Sequence, residues 1–335
     1  MESNFKISLI GLNSGHGHEV KNAEEIANKF SKKSEDVFRN GVTKLYFLSK
    51  QENLIDFTSQ ITSDLLQKLG IDLSKIKGVF GSNNQTADFL IPAFTACVSN
   101  KLGLRNVICD QVGLGCSGGL QALRNAYNQA VVDSMNGILG YYLVVVGDQL
   151  GRLLDPEDFG MSILFSEGSA VLVLTNRPDE EGGYKIEKIR TKSLLGKHLW
   201  ALRIKNPYSN NLGEIPKFEM NGLEVFQFAI NTFPDILDLI GLQSIGNETY
   251  FIPHQANLRI IDKIIKNNEL NPNNVYSDGI KTIGNVASAS VFFGLHDALK
   301  RNLLDKNYKV VLGAFGAELQ IGAALLLPQG AGLMF

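Results

Sequence analysis

The chain has 335 residues, of which 44% are hydrophobic and 20% are charged. This composition excludes a disordered protein and a small disulfide-stapled scaffold, and the length favours about two domains. The formal net charge of -2 excludes a global positive field that would draw the chain onto nucleic acid or anionic lipid. We therefore expect neither a nucleic-acid partner nor a membrane partner.

The cysteines predict a reducing compartment. Cys97, Cys109 and Cys116 are too few for a disulfide framework, and they lack the paired spacing of a zinc site. The apolar run over 7–12 is too short for the core of a signal peptide, and no stretch reaches the roughly 20 apolar residues of a membrane span. We expect a cytoplasmic protein without a bound metal, and we place His16 and His18 in a surface loop.

Short apolar runs alternate with amphipathic helical stretches, which predicts an α/β fold whose strands are buried on both faces. In the first half the pattern predicts strands near 7–11, 78–81, 106–110, 142–147 and 169–174, and helices over 56–69 and 116–134. In the second half it predicts helices over 222–239, 256–266 and 287–301, and strands at 250–252, 308–313 and 319–327.

A turn-rich acidic segment over 176–187 separates the two halves. We place the domain junction there, with one domain over 1–176 and the other over 177–335. Because both halves alternate strands and helices in a similar way, we expect an internal duplication. The segment 190–205 that follows is the local basic concentration, and it is either a solvated face or a contact for an acidic partner.

Cys116 lies in a glycine-rich turn, VGLGCSGG, between a predicted strand and a predicted helix. Glycines allow the tight turn that presents the sulfur at a helix N-terminus, where the helix dipole favours thiolate over thiol. We therefore expect Cys116 to be a nucleophile, whereas Cys97 and Cys109 lie in apolar runs and are expected to be structural.

The same turn contains the spacing G-x-G-x-x-G of a dinucleotide-binding motif. The next acidic residue after a predicted strand, Asp148, comes 30 residues after Gly118, which is farther than the ~20 residues that the motif requires. A nucleophilic side chain also stands where pyrophosphate needs bare backbone. Dinucleotide binding is therefore the weaker interpretation, and we expect no cofactor.

Two later segments offer groups that a thiolate mechanism needs. IPHQANLRII places His254 after a strand, and GNVASAS places Asn285 in a turn led by glycine. An asparagine amide donates a hydrogen bond to an enolate oxygen, whereas an aspartate there would act as a base toward an alcohol or amine. An asparagine at position 285 therefore favours formation of a carbon–carbon bond over acyl transfer to an alcohol or amine. The alternative to any catalytic role is that Asn285 is a plain turn residue.

These three motifs resemble the active-site segments of β-ketoacyl-acyl-carrier-protein synthase III, a branch of the thiolase-fold condensing enzymes. The resemblance extends through LGRLLDP near residue 150 and MNGLEVFQF near residue 224, and it is weak over the first 100 residues. It implies a thiolase-like fold in which two similar α/β halves form five layers. It also implies acyl carrier protein or coenzyme A thioesters as substrates and a homodimer.

Carried over position by position, the resemblance assigns the residues of the site. The catalytic residues would be Cys116, His254 and Asn285, and the backbone N–H groups of Cys116 and Ala317 would form the oxyanion hole. The family's substrate-binding positions fall on Arg39, Arg152, Asn257 and Arg259, and Phe89 would close the acyl pocket of a neighbouring subunit.

The chain departs from the family where coenzyme A binds. The tryptophan that stacks on the adenine is absent from 34–41, although Arg39 is kept, and a nearby arginine is replaced by Phe159. A lysine associated with carrier-protein docking is Gln227 here, and the triple-glycine loop reads Gly316-Ala317-Glu318. These departures favour a donor carried by a protein, or an unusual acyl chain.

Three hypotheses follow. The chain is a decarboxylative condensing enzyme that joins an acyl group on Cys116 to a malonyl unit. Alternatively, it is an acyltransferase of specialised metabolism that passes the acyl group to an amine, a hydroxyl or a second acyl chain. As a third alternative it is a non-catalytic partner subunit, although the three retained catalytic residue types argue against that.

Overall fold

The structure is a computed structural model that describes residues 5–84, 86–89, 91–113, 115–155, 157–180, 182–196, 199, 201–204, 218–304, 307–316, 319–330 and 332–335. The strands are β1 (Ser8–His16), β2 (Glu19–Asn22), β3 (Lys44–Phe47), β4 (Ile76–Ser82), β5 (Ile108–Val112), β6 (Tyr141–Asp148), β7 (Gly168–Thr175), β8 (Tyr184–Ser193), β9 (Leu202–Ile204), β10 (Phe218–Met220), β11 (Thr249–Pro253), β12 (Lys309–Phe315) and β13 (Gln320–Pro328). The helices are α1 (Ala23–Lys29), α2 (Ser34–Phe38), α3 (Leu54–Leu69), α4 (Phe94–Lys101), α5 (Gly118–Met135), α6 (Phe159–Ser162), α7 (Gly222–Asn231), α8 (Phe233–Leu239), α9 (Leu258–Asn267), α10 (Gly279–Thr282) and α11 (Ser290–Lys300).

The main sheet consists of two half-sheets with the same internal topology. Its nine described strands run in the order β11-β12-β13-β8-β1-β7-β6-β4-β5. In one half β1, β7 and β6 are antiparallel neighbours and β6 is parallel to β4. In the other half β8, β13 and β12 are antiparallel neighbours and β12 is parallel to β11. Strand β1 of the first half pairs with β8 of the second at Ser8–Lys185 and Leu9–Tyr184. The domain boundary expected at 176 lies between β7 and β8 and stays a prediction.

Helices and half-sheets alternate in five layers. Helices α5 and α11 share a central hydrophobic core with strands of both halves. Helices α3 and α4 cover the outer face of the first half-sheet, and α8 and α9 cover the outer face of the second. Both half-sheets are therefore buried on both faces, as the continuous apolar runs predict.

The central helices approach each other without a side chain between them at one point. A Cβ added at Gly119 in α5 would lie 2.3 Å from the carbonyl oxygen of Ser288, in the turn before α11. Glycine is therefore required there for the start of α5 and the turn before α11 to meet.

One element prediction is wrong. The helix expected over 222–239 is broken into α7 and α8 at Thr232, because Pro234 has no N–H and its ring would clash with a continuing helix. The basic stretch over 190–205 begins in β8, where Arg190 and Lys192 are exposed, and 197, 198, 200 and 205 lie outside the described residues, so its role stays a prediction. Within the described part of the chain, no helix has both the length and the apolar composition needed to cross a lipid bilayer.

Candidate active site

A cavity of about 550 Å³ lies at the ends of the central helices, and Cys116, His254 and Asn285 all line it. In the sequence, Cys116 and His254 lie 138 positions apart, and His254 and Asn285 lie 31 positions apart. The fold therefore brings together the three side chains that the sequence motifs single out.

Cys116 lies in a short 3-10 turn that leads directly into α5. Gly115 has a φ of +56°, and its N–H donates to Asn84 Oδ1 at 2.9 Å, which holds the turn in place. The expected thiolate is not favoured in the resting site. Burial and, to a smaller extent, the negative charge of Asp148 together raise the pKa of the Cys116 thiol to about 12. Cys116 does lie at the start of helix α5, but the cost of desolvating a thiolate outweighs the favourable effect of the helix dipole.

His254 follows β11 directly and is almost completely buried. Its backbone N–H donates to the Gly313 carbonyl at 2.7 Å, and its Nδ1 contacts the Ser290 hydroxyl. Burial lowers the pKa of His254 to about 3, so the ring is neutral at ordinary pH. Because Ser290 Oγ accepts the Gln255 N–H, its own proton is directed to Nδ1, and we assign the ring proton to Nε2.

Asn285 is held in a strained turn. The preceding Gly284 has a φ of +87°, and Ala287, which follows, has a φ of +42°. The side-chain Oδ1 of Asn285 accepts the Ala287 N–H at 2.9 Å, and its Nδ2 has no hydrogen-bond acceptor within the described residues. The amide N–H groups of Asn285 are thus free to donate into the cavity.

The loop after β12 reaches the nucleophile turn. A Cβ added at Gly316 would lie 2.8 Å from the backbone nitrogen of Cys116 and 2.7 Å from that of Ser117. A side chain at this position would therefore fill the space in front of those N–H groups. Ala317, the other expected oxyanion-hole residue, lies outside the described residues.

The remaining wall of the cavity is mainly apolar. The thiol packs against a cluster that contains Leu150, Met161 and Phe165. Phe315 packs edge-on against the His254 ring, with centroids 5.3 Å apart. The sequence motifs do not mark these wall residues, because apolar residues that line a cavity and apolar residues in a core look alike in sequence.

Two of the expected substrate-binding residues lie at this cavity. Arg259 lines it with an exposed side chain and has no ion-pair partner within the described residues. Asn257 also lines it, but its Oδ1 caps α9 through the Arg259 N–H at 2.8 Å, and its Nδ2 donates to Asn40 Oδ1 at 2.9 Å. The contribution of Asn257 in this structure is thus to orient α9.

The other three expected residues do not line the described cavity. Arg39 is exposed beside Asp36, with its guanidinium 3.6 Å from the carboxylate. Arg152 forms an ion pair with Asp88 at 2.6 Å. Phe89 is 58% exposed on the surface of this chain, so its expected contact with a neighbouring subunit stays a prediction.

Comparison with known proteins gives the same family for both halves. The model of 3-oxoacyl-[acyl-carrier-protein] synthase III matches residues 111–193, and the model of its C-terminal part matches residues 245–327. The first range includes Cys116, and the second includes His254 and Asn285. The chain belongs to the 3-oxoacyl-[acyl-carrier-protein] synthase III family.

Individual relatives agree with this assignment. The chain is 28% identical over 285 residues to the β-ketoacyl-[acyl-carrier-protein] synthase III of Clostridium novyi, covering 83% of this chain and 86% of that protein. The fold matches the synthase III crystal structure from Pseudomonas aeruginosa with a TM-score of 0.82 at 24% identity, over 97% of this chain and 98% of that chain.

A second solved structure is the priming β-ketosynthase of the R1128 polyketide pathway, which matches with a TM-score of 0.85 at 23% identity over 98% of both chains. The two solved structures confirm the thiolase-like fold. This member of the synthase III family therefore has the thiolase-like fold that the sequence predicts.

Proposed function

We propose that this synthase III relative transfers an acyl group from a thioester to Cys116 and then condenses it with a malonyl thioester, with loss of carbon dioxide. The observation that carries the proposal is the single cavity lined by Cys116, His254 and Asn285. A thiol, a neutral imidazole and an amide donor together supply a nucleophile and two groups that stabilise an enolate.

In the first step the Cys116 sulfur attacks the thioester carbonyl, and the donor thiol leaves with the proton that Cys116 loses. The tetrahedral oxyanion lies near the Cys116 N–H, in the space that Gly316 keeps open. Because burial raises the pKa of Cys116, the resting group is a thiol, and deprotonation accompanies the attack.

In the second step the malonyl carboxylate leaves as carbon dioxide, and the electron pair forms an enolate. The Nε2–H of His254 and the Nδ2–H of Asn285 donate to the enolate oxygen. The enolate carbon attacks the acyl carbonyl on Cys116, the C–S bond breaks, and the sulfur takes up a proton. The product is a β-ketoacyl thioester.

The orientation of Asn285 argues against the second hypothesis. Its Oδ1 accepts the Ala287 N–H, and its Nδ2 has no hydrogen-bond acceptor within the described residues, so the side chain is available as a donor. It therefore offers no base for an amine or alcohol nucleophile. A non-catalytic role disagrees with a nucleophile, a neutral imidazole and an amide donor that line the same cavity.

We propose an acyl carrier protein as the preferred donor. Arg39 and Arg152, which the resemblance assigns to coenzyme A, lie beside the carboxylates of Asp36 and Asp88. Helix α9 by contrast presents Arg259 at the cavity, with Lys263 and Lys266 four and seven positions further along the helix and one carboxylate, Asp262, between them. These cations are complementary to an acidic carrier protein.

We propose that the chain forms a homodimer through the β5 edge. Strand β5 is the outer strand of the described sheet and leaves backbone groups without a neighbouring strand. Ile91, in the loop that carries Phe89, is 88% exposed, which is unusual for an apolar side chain on a monomer surface.

Mass spectrometry of the intact protein tests the nucleophile. Incubation with an acyl thioester should add one acyl mass to the parent chain and none to Cys116→Ala. Cys97→Ala is the matched control, because Cys97 lies outside the cavity and should not affect the adduct. An adduct that persists on Cys116→Ala would reject the assignment.

Product analysis separates the condensation from the alternative acyltransfer. Acylated enzyme supplied with a malonyl thioester should release carbon dioxide and form a β-ketoacyl thioester in equal amounts. Asn285→Asp should keep Cys116 acylation and lose decarboxylation, because a carboxylate repels the enolate. Acyl transfer to an amine or alcohol without carbon dioxide release would favour the second hypothesis.

Donor choice is tested by comparing an acyl carrier protein donor with an acyl pantetheine donor. Arg259→Glu should lower kcat/KM for the carrier protein about 10-fold and leave the pantetheine donor unchanged. Lys309→Glu is the control, since Lys309 is an exposed cation at the opposite end of β12 from the site. Equal effects of the two variants would reject the α9 docking side.

A further inference from the structure

Asp148, at the end of β6, is a fully buried carboxylate that the condensation does not use. Within the described residues no Lys, Arg or His forms an ion pair with it. Instead, neutral donors surround its two oxygens. The backbone N–H and side-chain Nδ2 of Asn84 donate to it at 2.9 and 3.0 Å, and Thr86 Oγ1 does so at 3.4 Å. The backbone N–H and hydroxyl of Ser288 complete the set.

One set of these hydrogen bonds leads to the nucleophile. Asn84 donates twice to Asp148, and its remaining polar atom, Oδ1, accepts the Gly115 N–H at 2.9 Å. Gly115 directly precedes Cys116 and has a left-handed backbone conformation. Asp148 thus holds the Asn84 side chain in place, and Asn84 in turn holds the turn that carries Cys116.

The other set leads to the enolate-binding amide. Ser288 lies in the 3-10 turn that separates Asn285 from α11. Its N–H and hydroxyl both donate to Asp148 Oδ2, while the neighbouring Ala287 N–H donates to Asn285 Oδ1. A single carboxylate is therefore hydrogen-bonded directly to the turn that follows Asn285 and, through Asn84, to the turn that carries Cys116. Gly115 and Asn285 lie 170 residues apart in the sequence.

We propose that Asp148 is a positioning residue that holds the Cys116 turn and the Asn285 turn in register for the two successive steps. Burial of a carboxylate with neutral donors alone costs free energy, and residues buried at such a cost are retained for a specific arrangement more than for stability. Its charge also opposes a resting thiolate on Cys116, since it raises the pKa of that thiol.

The two links can be separated by substitution. Ser288→Ala removes a hydroxyl donor on the Asn285 side, and Asn84→Ala removes the acceptor on the Cys116 side. A hydrogen bond to a charged group is worth about 10-fold in a rate when it positions a reacting group. Asn84→Ala should therefore slow acylation of Cys116 about 10-fold, and Ser288→Ala should slow decarboxylation about 10-fold while acylation is kept.

Asp148→Asn should slow both half-reactions. Asp133→Asn is the matched control, because Asp133 is also a buried carboxylate held by neutral donors, Tyr142 Oη at 2.7 Å and Gln129 Nε2 at 2.9 Å, in the last turns of α5. Asp133→Asn should lower thermal stability without changing either half-reaction. Circular dichroism measures the folded fraction of each variant, and each rate is divided by that fraction.

A readout without substrate separates this inference from the proposed function on which its rate assays rest. The rate of iodoacetamide alkylation at Cys116, followed by peptide mass spectrometry, reports the thiolate fraction at each pH. The titratable groups around this thiol are Asp148 and His254, and His254 is neutral over the range used. In Asp148→Asn the alkylation profile should move to lower pH, and in Asp133→Asn it should not move.

The outcomes are distinct. Half-reaction rates in Asp148→Asn within twofold of the parent, with an unmoved alkylation profile, overturn the inference. If Asp148→Asn does not fold, the other two variants decide. The inference is overturned if Asn84→Ala and Ser288→Ala affect both half-reactions equally, or if neither variant affects any half-reaction. A parent chain that forms no acyl adduct contradicts the proposed function, and the alkylation profiles still decide the role of Asp148.

Discussion

At the scale of single residues, the protonation of the His254 ring depends on the hydroxyl of Ser290, the last residue of the GNVASAS motif. Ser290 contacts Nδ1 and so leaves the proton on Nε2, where the enolate oxygen needs a donor. We expect Ser290→Ala to lower the decarboxylation rate about 10-fold, because the ring loses its fixed tautomer and orientation. Acylation of Cys116 should be unchanged.

Carbon dioxide release from pre-acylated enzyme measures this effect of Ser290→Ala. Ser59→Ala is the control, since Ser59 is a buried serine in α3 whose hydroxyl donates only to the Ile55 carbonyl within the described residues. An unchanged decarboxylation rate in Ser290→Ala would contradict the tautomer assignment.

Asp148 also makes the stability of the fold depend on pH. Burial raises the pKa of its carboxyl to about 6, so the folded state holds this proton more tightly than the unfolded state does. Its contribution to stability is therefore present below the ordinary carboxyl pKa and is lost as the pH rises through about 6. Asn at this position does not titrate.

Urea unfolding of the parent and of Asp148→Asn between pH 4 and pH 8 measures this linkage. The free energy of unfolding of the parent should fall relative to that of the variant by about 2 to 3 kcal/mol over this range. Parallel curves would show that the Asp148 carboxyl has an ordinary pKa.

At the scale of secondary-structure elements, the contact between α5 and the turn before α11 sets the geometry of the site. Gly119→Ala would place a Cβ 2.3 Å from the Ser288 carbonyl oxygen and 2.9 Å from the Phe292 ring. Overpacking of this kind costs about 1 to 3 kcal/mol. We therefore expect a lower Tm for Gly119→Ala and a loss of condensation as the two turns separate.

Thermal unfolding and the condensation assay check this expectation together. Gly246→Ala is the control, because a Cβ there meets no heavy atom within 4 Å and the backbone does not require glycine. A Gly119→Ala protein with the Tm of the control would mean that the turns tolerate a wider separation.

The elements differ in how far sequence could predict them. The buried strands β6 and β7 appear as continuous apolar runs, and the three candidate catalytic residues lie in motifs whose glycines the local turns require. The sequence pattern does not predict strand β8. The register of its pairing with β13 shifts between Leu325 and Leu326, and along β8 this shift interrupts the alternation of buried and exposed residues. The break at Thr232 follows from Pro234 and was predictable.

Contacts between distant segments set the rest of the site, so it was not predictable from the sequence. The pKa of the Cys116 thiol depends on burial by the whole fold and on Asp148, which the sequence analysis considers only as an acidic residue too distant for a dinucleotide-binding motif. The pairing of Arg152 depends on Asp88, which lies 64 positions earlier in the chain. Local patterns carry no information on either contact.

At the scale of the whole molecule, the exposed β5 edge predicts how two copies assemble. Ile108 at the start of β5 is 42% exposed, and a strand edge with apolar side chains readily pairs with another strand. We expect Ile108→Lys to convert a dimer into a monomer, because a lysine on an edge strand opposes pairing with a second strand. Size-exclusion chromatography with light scattering measures the mass.

Val20→Lys is the control for this assembly, since Val20 is 45% exposed in the two-stranded sheet of β2 and β3, outside the main sheet. It should leave the dimer intact. If Phe89 closes the acyl pocket of the partner, Ile108→Lys should also weaken acylation of Cys116, whereas a site complete within one chain would keep its acylation rate in the monomer. A parent chain that is monomeric, or an Ile108→Lys chain that stays dimeric, would contradict assembly through β5.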